Sequence, residues 1–299
     1  MKYTWIYSLL IIIAASSYGI LSTIIKVAMQ HGYTSTEAVS SQYIVGFLLA
    51  FILFITTQRT LPKLTRSGGT TLLIAGLFMS TTGIVYGESL NYLPASLAVV
   101  MLFQFTWIGL FMDCAIKKRV PSQIELISLA FLLAGTIFAA GVIDVDLSQI
   151  AWQGWVLGLV AAFSFATFLQ INSRPVEGVT TIGRTFILST ISLAVVSIFL
   201  SPEIIWNGQL TAGLWKFGLV LGFFGIILPI LLFSIAAPKV GGGLVSILSA
   251  MELPVAIIVS VIVLHESLTL LQVGGIILVL IGMSLPSFFA SKKYVVQSE

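Results

Sequence analysis

The chain has 299 residues, of which 58% are hydrophobic and only 8% charged. Soluble domains carry about 25% charged residues, so this composition excludes a soluble globular protein and specifies an integral membrane one. The net charge of +3 sits in short basic loops between apolar runs, which is no nucleic-acid signal, and the single cysteine, Cys114, excludes an intramolecular disulfide framework.

A helix that crosses a bilayer needs about 20 apolar residues. Ten stretches qualify: 5–29, 38–57, 71–90, 95–116, 124–143, 152–171, 185–200, 214–236, 243–264 and 270–289. The first is too long for a secretory signal and is expected to remain as a helix. The seventh is short and is expected to reach back over 181–183. No connection between them has the length of a domain.

Basic residues set the orientation. With the N-terminus inside, Lys2, Arg59, Lys63, Arg66, Lys117, Lys118, Arg119, Arg174, Arg184, Lys239, Lys292 and Lys293 all lie inside, twelve of the fourteen Lys and Arg. Lys216 falls at an outer helix end and Lys26 within the first helix. Glu37, Asp144, Asp146, Glu203 and Glu266 take the outer loops, with Glu88 near the outer end of the third helix. Both termini are therefore expected in the cytoplasm, and the chain in the cytoplasmic membrane.

The chain also repeats. An offset of 147 lays Ala14 on Ala161, Tyr18 on Phe165, Leu72 on Leu219, Tyr86 on Phe233 and Gly135 on Gly282. The two copies, 1–147 and 148–299, hold five helices each. Five is odd, so the copies enter the membrane from opposite sides. The expected fold is all-α and integral to the membrane, with ten transmembrane helices as two inverted five-helix repeats. Such folds carry their substrate site near the midplane, where the halves meet.

The ninth helix carries the chemistry. Glu252 lies about 13 Å along it at 1.5 Å per residue, near the middle of a core about 30 Å thick. An acid at that depth costs roughly 2.5–3.5 kcal/mol on insertion scales and is tolerated where it faces the bundle interior or a watery cavity. Pro254 removes a backbone hydrogen bond, and broken backbone survives in lipid only where protein or a cavity satisfies it. Glu252 is thus the candidate substrate- or proton-binding group; the alternative is a structural hydrogen bond to a neighbouring helix.

At this point the sequence resembles the EamA-type branch of the drug/metabolite transporter superfamily. The resemblance rests on Gly241–Gly243, Ser246-Ile-Leu-Ser249, Glu252 with its nearby proline, Glu266-Ser-Leu268, Gly274-Gly275 and Gly282. The family usually sets Glu and Pro adjacent, whereas here Leu253 intervenes; Gln42 stands where the family often has arginine. Lys118-Arg119 replaces the family's Glu-Arg, and Tyr18-Gly19 with Lys26 stands for its Trp-Gly-Ser pattern and lysine. The resemblance implies two five-helix repeats and an exporter of small organic metabolites.

Other candidates surround this helix. Gln104 lies at matching depth in the fourth helix, beside Phe105, which the offset lays on Glu252. Gln104 and Trp107 would suit a substrate with polar and flat parts, or else serve an interhelical hydrogen bond and ordinary packing. Tyr18 and Gly19 form a small polar patch with Ser16 and Ser17, echoed by Ser164, Phe165 and Ala166. Such residues let helices approach closely, and Gly19 is also a candidate hinge. Tyr86 faces either the cavity or the aromatic belt. Pro229 and Pro254 are candidate hinges through helix kinking. Lys26 either snorkels outward or gates with Glu88 or Glu266.

No phosphate-binding glycine loop, Cys/His cluster or intramembrane Ser/His/Asp set is present. That excludes an encoded ATPase engine and predicts no metal, no cofactor and no catalysis. A secondary carrier of a small organic metabolite, such as an amino acid or related compound, is expected, with protons as candidate coupling ion. Its partners would be substrate and lipid, and its state monomer or homodimer. A membrane-embedded enzyme or a non-transporting receptor is the alternative.

Overall fold

The computed structural model describes residues 4–89, 91–93, 95–141, 151–200, 203–265 and 268–295. Lys2, Asp144, Asp146 and Glu266, used above for orientation and gating, lie outside the described residues. Every regular element among the described residues is helical. In chain order they are α1 (Thr4–Gln30), α2 (Ser35–Thr57), α3 (Arg66–Ser89), α4 (Leu97–Ile116), α5 (Gln123–Ala139), α6 (Trp152–Asn172), α7 (Thr181–Phe199), α8 (Leu210–Val240), α9 (Gly242–Leu264) and α10 (Leu270–Val295). Eight are long and apolar enough to cross a membrane; α5 and the apolar part of α10, Leu270–Pro286, are shorter.

Helices α2 and α7 begin earlier than hydropathy alone suggests, because capping residues start them. Thr34 Oγ1 accepts from Glu37 N at 3.1 Å, while the Glu37 carboxylate accepts from Thr34 N at 2.7 Å. This reciprocal box satisfies two orphan donors of the first turn. At α7, Gly183 N donates to Thr180 Oγ1 at 3.0 Å. Arg184, expected in a loop, is buried in the first turn of α7. Its guanidinium donates to Arg174 O at 3.0 Å, just past the end of α6, where cations suit the exposed carbonyls.

Three helices are interrupted inside the bundle. Helix α8 contains π-helical turns at Leu210–Leu214 and Phe223–Ile227, the second just before Pro229. Proline lacks an N–H and its ring crowds the carbonyl one turn back; the wider turn absorbs both. Helix α9 tightens into a 3-10 turn at Ser249–Met251 and resumes at Glu252, two residues ahead of Pro254. Helix α4 has no proline, yet its first stretch stops at Leu102 and the next starts at Phe105.

Helix α1 packs on α8 and α9, and α6 packs on α3 and α4. Helix α2 packs on α7 and α8, α3 on α7, α4 on α9 and α5 on α10. Large apolar side chains such as Phe51, Ile52, Ile55, Val156 and Phe163 face outward, exposed, as a lipid-facing surface requires. The α5–α10 crossing is built on small residues. A β-carbon on Gly135 would lie 2.8 Å from Gly275 O, one on Gly275 would lie 2.7 Å from Gly135 O, and Ser128 Oγ donates to Gly282 O at 2.6 Å. Close backbone approach of this kind replaces the hydrophobic drive that lipid cannot supply. Gly275→Leu should therefore cost about 1–3 kcal/mol through overpacking, seen as a lower thermal unfolding midpoint in detergent, whereas Gly274→Leu, where a β-carbon meets nothing within 4 Å, should leave that midpoint in place.

Candidate functional site

The site lies at the break in α9. The tight turn Ser249–Met251 turns Glu252 into a cavity of about 170 Å³, walled by α1, α2, α3, α4, α6, α8 and α9. The Glu252 side chain makes no hydrogen bond or ion pair among the described residues. Tyr18 and Tyr86 line the same cavity as its carboxyl.

The wall is aromatic. Tyr18, Tyr43, Tyr86, Phe103, Phe165 and Phe168 all line it. Tyr18 meets Phe165 edge-on at 5.8 Å and lies near-parallel to Phe233 at 6.1 Å, and Phe165 meets Phe105 edge-on at 4.8 Å. Offset and edge-to-face pairs of this kind fix ring positions. The remaining polar wall is neutral: Ser22, Ser35, Gln42 and Thr82. Gly19 brings α1 against α9 beside the acid. A β-carbon there would lie 2.5 Å from Glu252 O and 2.9 Å from Ala256 N.

A wider vestibule of about 470 Å³ adjoins the cavity and shares Ser22, Ile25, Ser35, Tyr86 and Ala256 with it. It runs past Lys26, Asn91 and Gln272, at the end of the bundle where α1 finishes and α10 begins. Glu88, one expected partner of Lys26, accepts a hydrogen bond from Asn91 at 3.0 Å.

The opposite end is closely packed and carries ion pairs. Asp113, in the last turn of α4, is 3% exposed and bridges Lys117 at 2.9 Å and Arg119 at 3.0 Å. Arg119 reaches on to both oxygens of Glu125, each at 2.8 Å. The hydrogen bonds that Arg119 donates to Glu125, reinforced by the one it donates to Asp113, hold its guanidinium above its ordinary range against the pull of burial. The start of α9 presses on this cluster: a β-carbon on Gly243 would lie 2.9 Å from Asp113 Oδ2. Gly241 has φ +89°, a conformation glycine adopts freely, and it turns the chain from α8 into α9. Gln170 of α6 closes the seam by donating to Gly109 O at 2.6 Å.

Of the residues singled out from sequence, Glu252, Tyr18, Gly19 and Tyr86 meet in the cavity. Gln104 and Trp107 do not line it. Gln104 Nε2 donates to Val100 O at 2.9 Å, across the break in α4, and Trp107 Nε1 donates to Gln104 Oε1 at 2.7 Å. The pair serves the broken backbone. Pro254 lies buried beside the acid, and Pro229 lies buried after the second π turn of α8. Sequence reasoning passed over Tyr43, Phe168 and Asp113; Asp113–Lys117 at spacing i,i+4 was a visible signal for the last.

Residues 152–288 match the model of the EamA-like transporter family. That segment is similar to the family. The family is one of transporters, which argues against an enzyme, and with its many apolar helices the chain is a multi-pass membrane protein. A solved crystal structure matches with a TM-score of 0.74 at 13% identity, covering 98% of this chain and 99% of the other. At that identity the likeness is one of fold. No curated protein matches. Within the EamA-like half, Gly241–Gly243 and Glu252 hold the packed end and the cavity respectively.

Gly19→Leu should push α1 off α9 at the site. The expected outcome is a protein that still reaches the membrane but unfolds at a lower temperature and loses binding, measured by thermal shift in detergent with and without cargo.

Proposed function

We propose that the chain is a secondary transporter of the cytoplasmic membrane, exporting a small organic metabolite such as an amino acid or related compound by alternating access. The observation that carries this reading is a carboxyl, unpaired among the described residues, in an aromatic cavity that is open toward one end of the bundle and closely packed at the other. An ionised carboxylate among apolar groups is expensive, and either a proton or a cationic group relieves that cost. Glu252 would therefore hold a proton in one half of the cycle and cargo in the other. Tyr18 and Tyr86 shape the cargo site, and the breaks near Pro229 and Pro254 let α8 and α9 bend.

The ten helices would all cross the bilayer as two inverted five-helix repeats. Several features favour this. Helix packing follows a shift of five: α1 on α8 is matched by α6 on α3, α1 on α9 by α6 on α4, and α2 on α8 by α7 on α3. The offset of 147 lays the break after Leu102 on the 3-10 turn from Ser249, and Phe105 on Glu252. It also exchanges the two contacts of the α5–α10 crossing, laying Gly135 on Gly282 and Ser128 on Gly275. The basic residues favour termini in the cytoplasm, which makes the Asp113–Arg119–Glu125 cluster the inner seal and the vestibule the outer mouth. Export is the direction suggested by the family resemblance.

In proteoliposomes, purified protein should exchange labelled cargo in counterflow and accumulate it under an imposed pH gradient. Glu252→Gln should fold but lose about 100-fold or more of the pH-driven uptake, the lower end of the scale for a positioned proton-transfer group. Undiminished pH-driven uptake by Glu252→Gln would contradict proton coupling.

A further inference from the structure

Resting on the carrier in that reading, but replacing the amino acid named there by a related amine, we propose that the cargo is a small monocationic amine with a flat apolar body, and that zwitterions and anions are rejected. The argument begins with the charge of the cavity. Among the described residues its wall carries one carboxylic acid, Glu252, and no Lys, Arg or His. A cargo ammonium therefore finds a counter-ion, while a cargo carboxylate finds only neutral donors, Gln42, Ser22, Ser35 and Thr82. Burying a carboxylate without a cation is far costlier than leaving it in water. Lys26, on the vestibule wall, cannot repair this. It lies seven residues beyond Gly19 on α1, about 10 Å further out, whereas the ammonium and carboxylate of an amino acid share one carbon.

The rings supply the second half of the argument. Tyr18 and Tyr86 line the cavity with Glu252, and Tyr43, Phe103, Phe165 and Phe168 complete the enclosure. Aromatic faces attract a cation within about 6 Å of the ring centroid, and they stack on a flat body. A site that holds its cargo through one carboxylate and a ring of faces selects positive charge. The neutral amide of Gln42 can fix a hydroxyl or carbonyl of that cargo without altering its charge class.

The test is a matched set with one ring and four charges: 2-phenylethylamine, 2-phenylethanol, phenylalanine and 3-phenylpropionate. Labelled 2-phenylethylamine is bound to the full-length protein in detergent, and the others compete. The amine should bind at least about 10-fold tighter than the alcohol, and more so than phenylalanine or phenylpropionate. Glu252→Gln should remove that advantage, and Tyr86→Leu should weaken the amine more than the alcohol. Phenylalanine or phenylpropionate binding as tightly as the amine overturns the proposal, as does an amine preference that survives Glu252→Gln, or binding by none of the four. Counterflow in proteoliposomes separates the two readings. Exchange of phenylalanine but not the amine overturns the cargo class and leaves the carrier standing, whereas a bound amine that is never exchanged overturns the carrier and keeps the charge preference.

Discussion

The bundle is arranged around a carboxyl that has no hydrogen-bond or ion-pair partner among the described residues. Glu252 sits where α9 tightens and restarts, among aromatic rings, with no cation on its wall. In hydrocarbon such a group is tolerated only beside a cavity or protein polar groups. The cavity is therefore a condition of the helix existing at all. Gly19 is part of the same condition, since only a residue without a β-carbon lets α1 lie against the Glu252 carbonyl and wall the cavity on that side.

The two ends of the cavity are held by different physics. Toward the vestibule the contacts are side chains lining a space, among them the exposed Ser22. At the other end Asp113, Lys117, Arg119 and Glu125 form a chain of ion pairs, pressed by the glycines that open α9. A buried charge whose partners leave is costly, so opening this end requires that Asp113 keep a counter-ion or gain water.

Much of the fold was legible because lipid imposes simple rules. Apolar runs of about 20 residues located the helices; α2 and α7 start earlier where Thr34 and Thr180 cap them, and α3 and α8 also start four to five residues earlier. The acid and the proline marked α9 as broken, because both are expensive in oil. The break in α4 was not legible, since no proline signals it and Gln104 mends it locally through Val100 O. For the same reason Gln104 and Trp107 looked like site residues: depth along a helix was readable, but the direction a side chain takes around it was not. Tyr43 and Phe168 were hidden by the opposite problem, since one aromatic among many apolar neighbours carries no mark of the cavity it lines.

The most direct measurement is the reach of a water-soluble reagent to position 252 itself. In a Cys114→Ser background, Glu252→Cys is treated with a membrane-impermeant maleimide applied to either face of sealed vesicles. The account predicts labelling from the vestibule side at rest, with protection from the sealed side. No labelling from either face, in a protein that remains folded, would mean that position 252 opens to lipid or to packed protein, and would contradict the account.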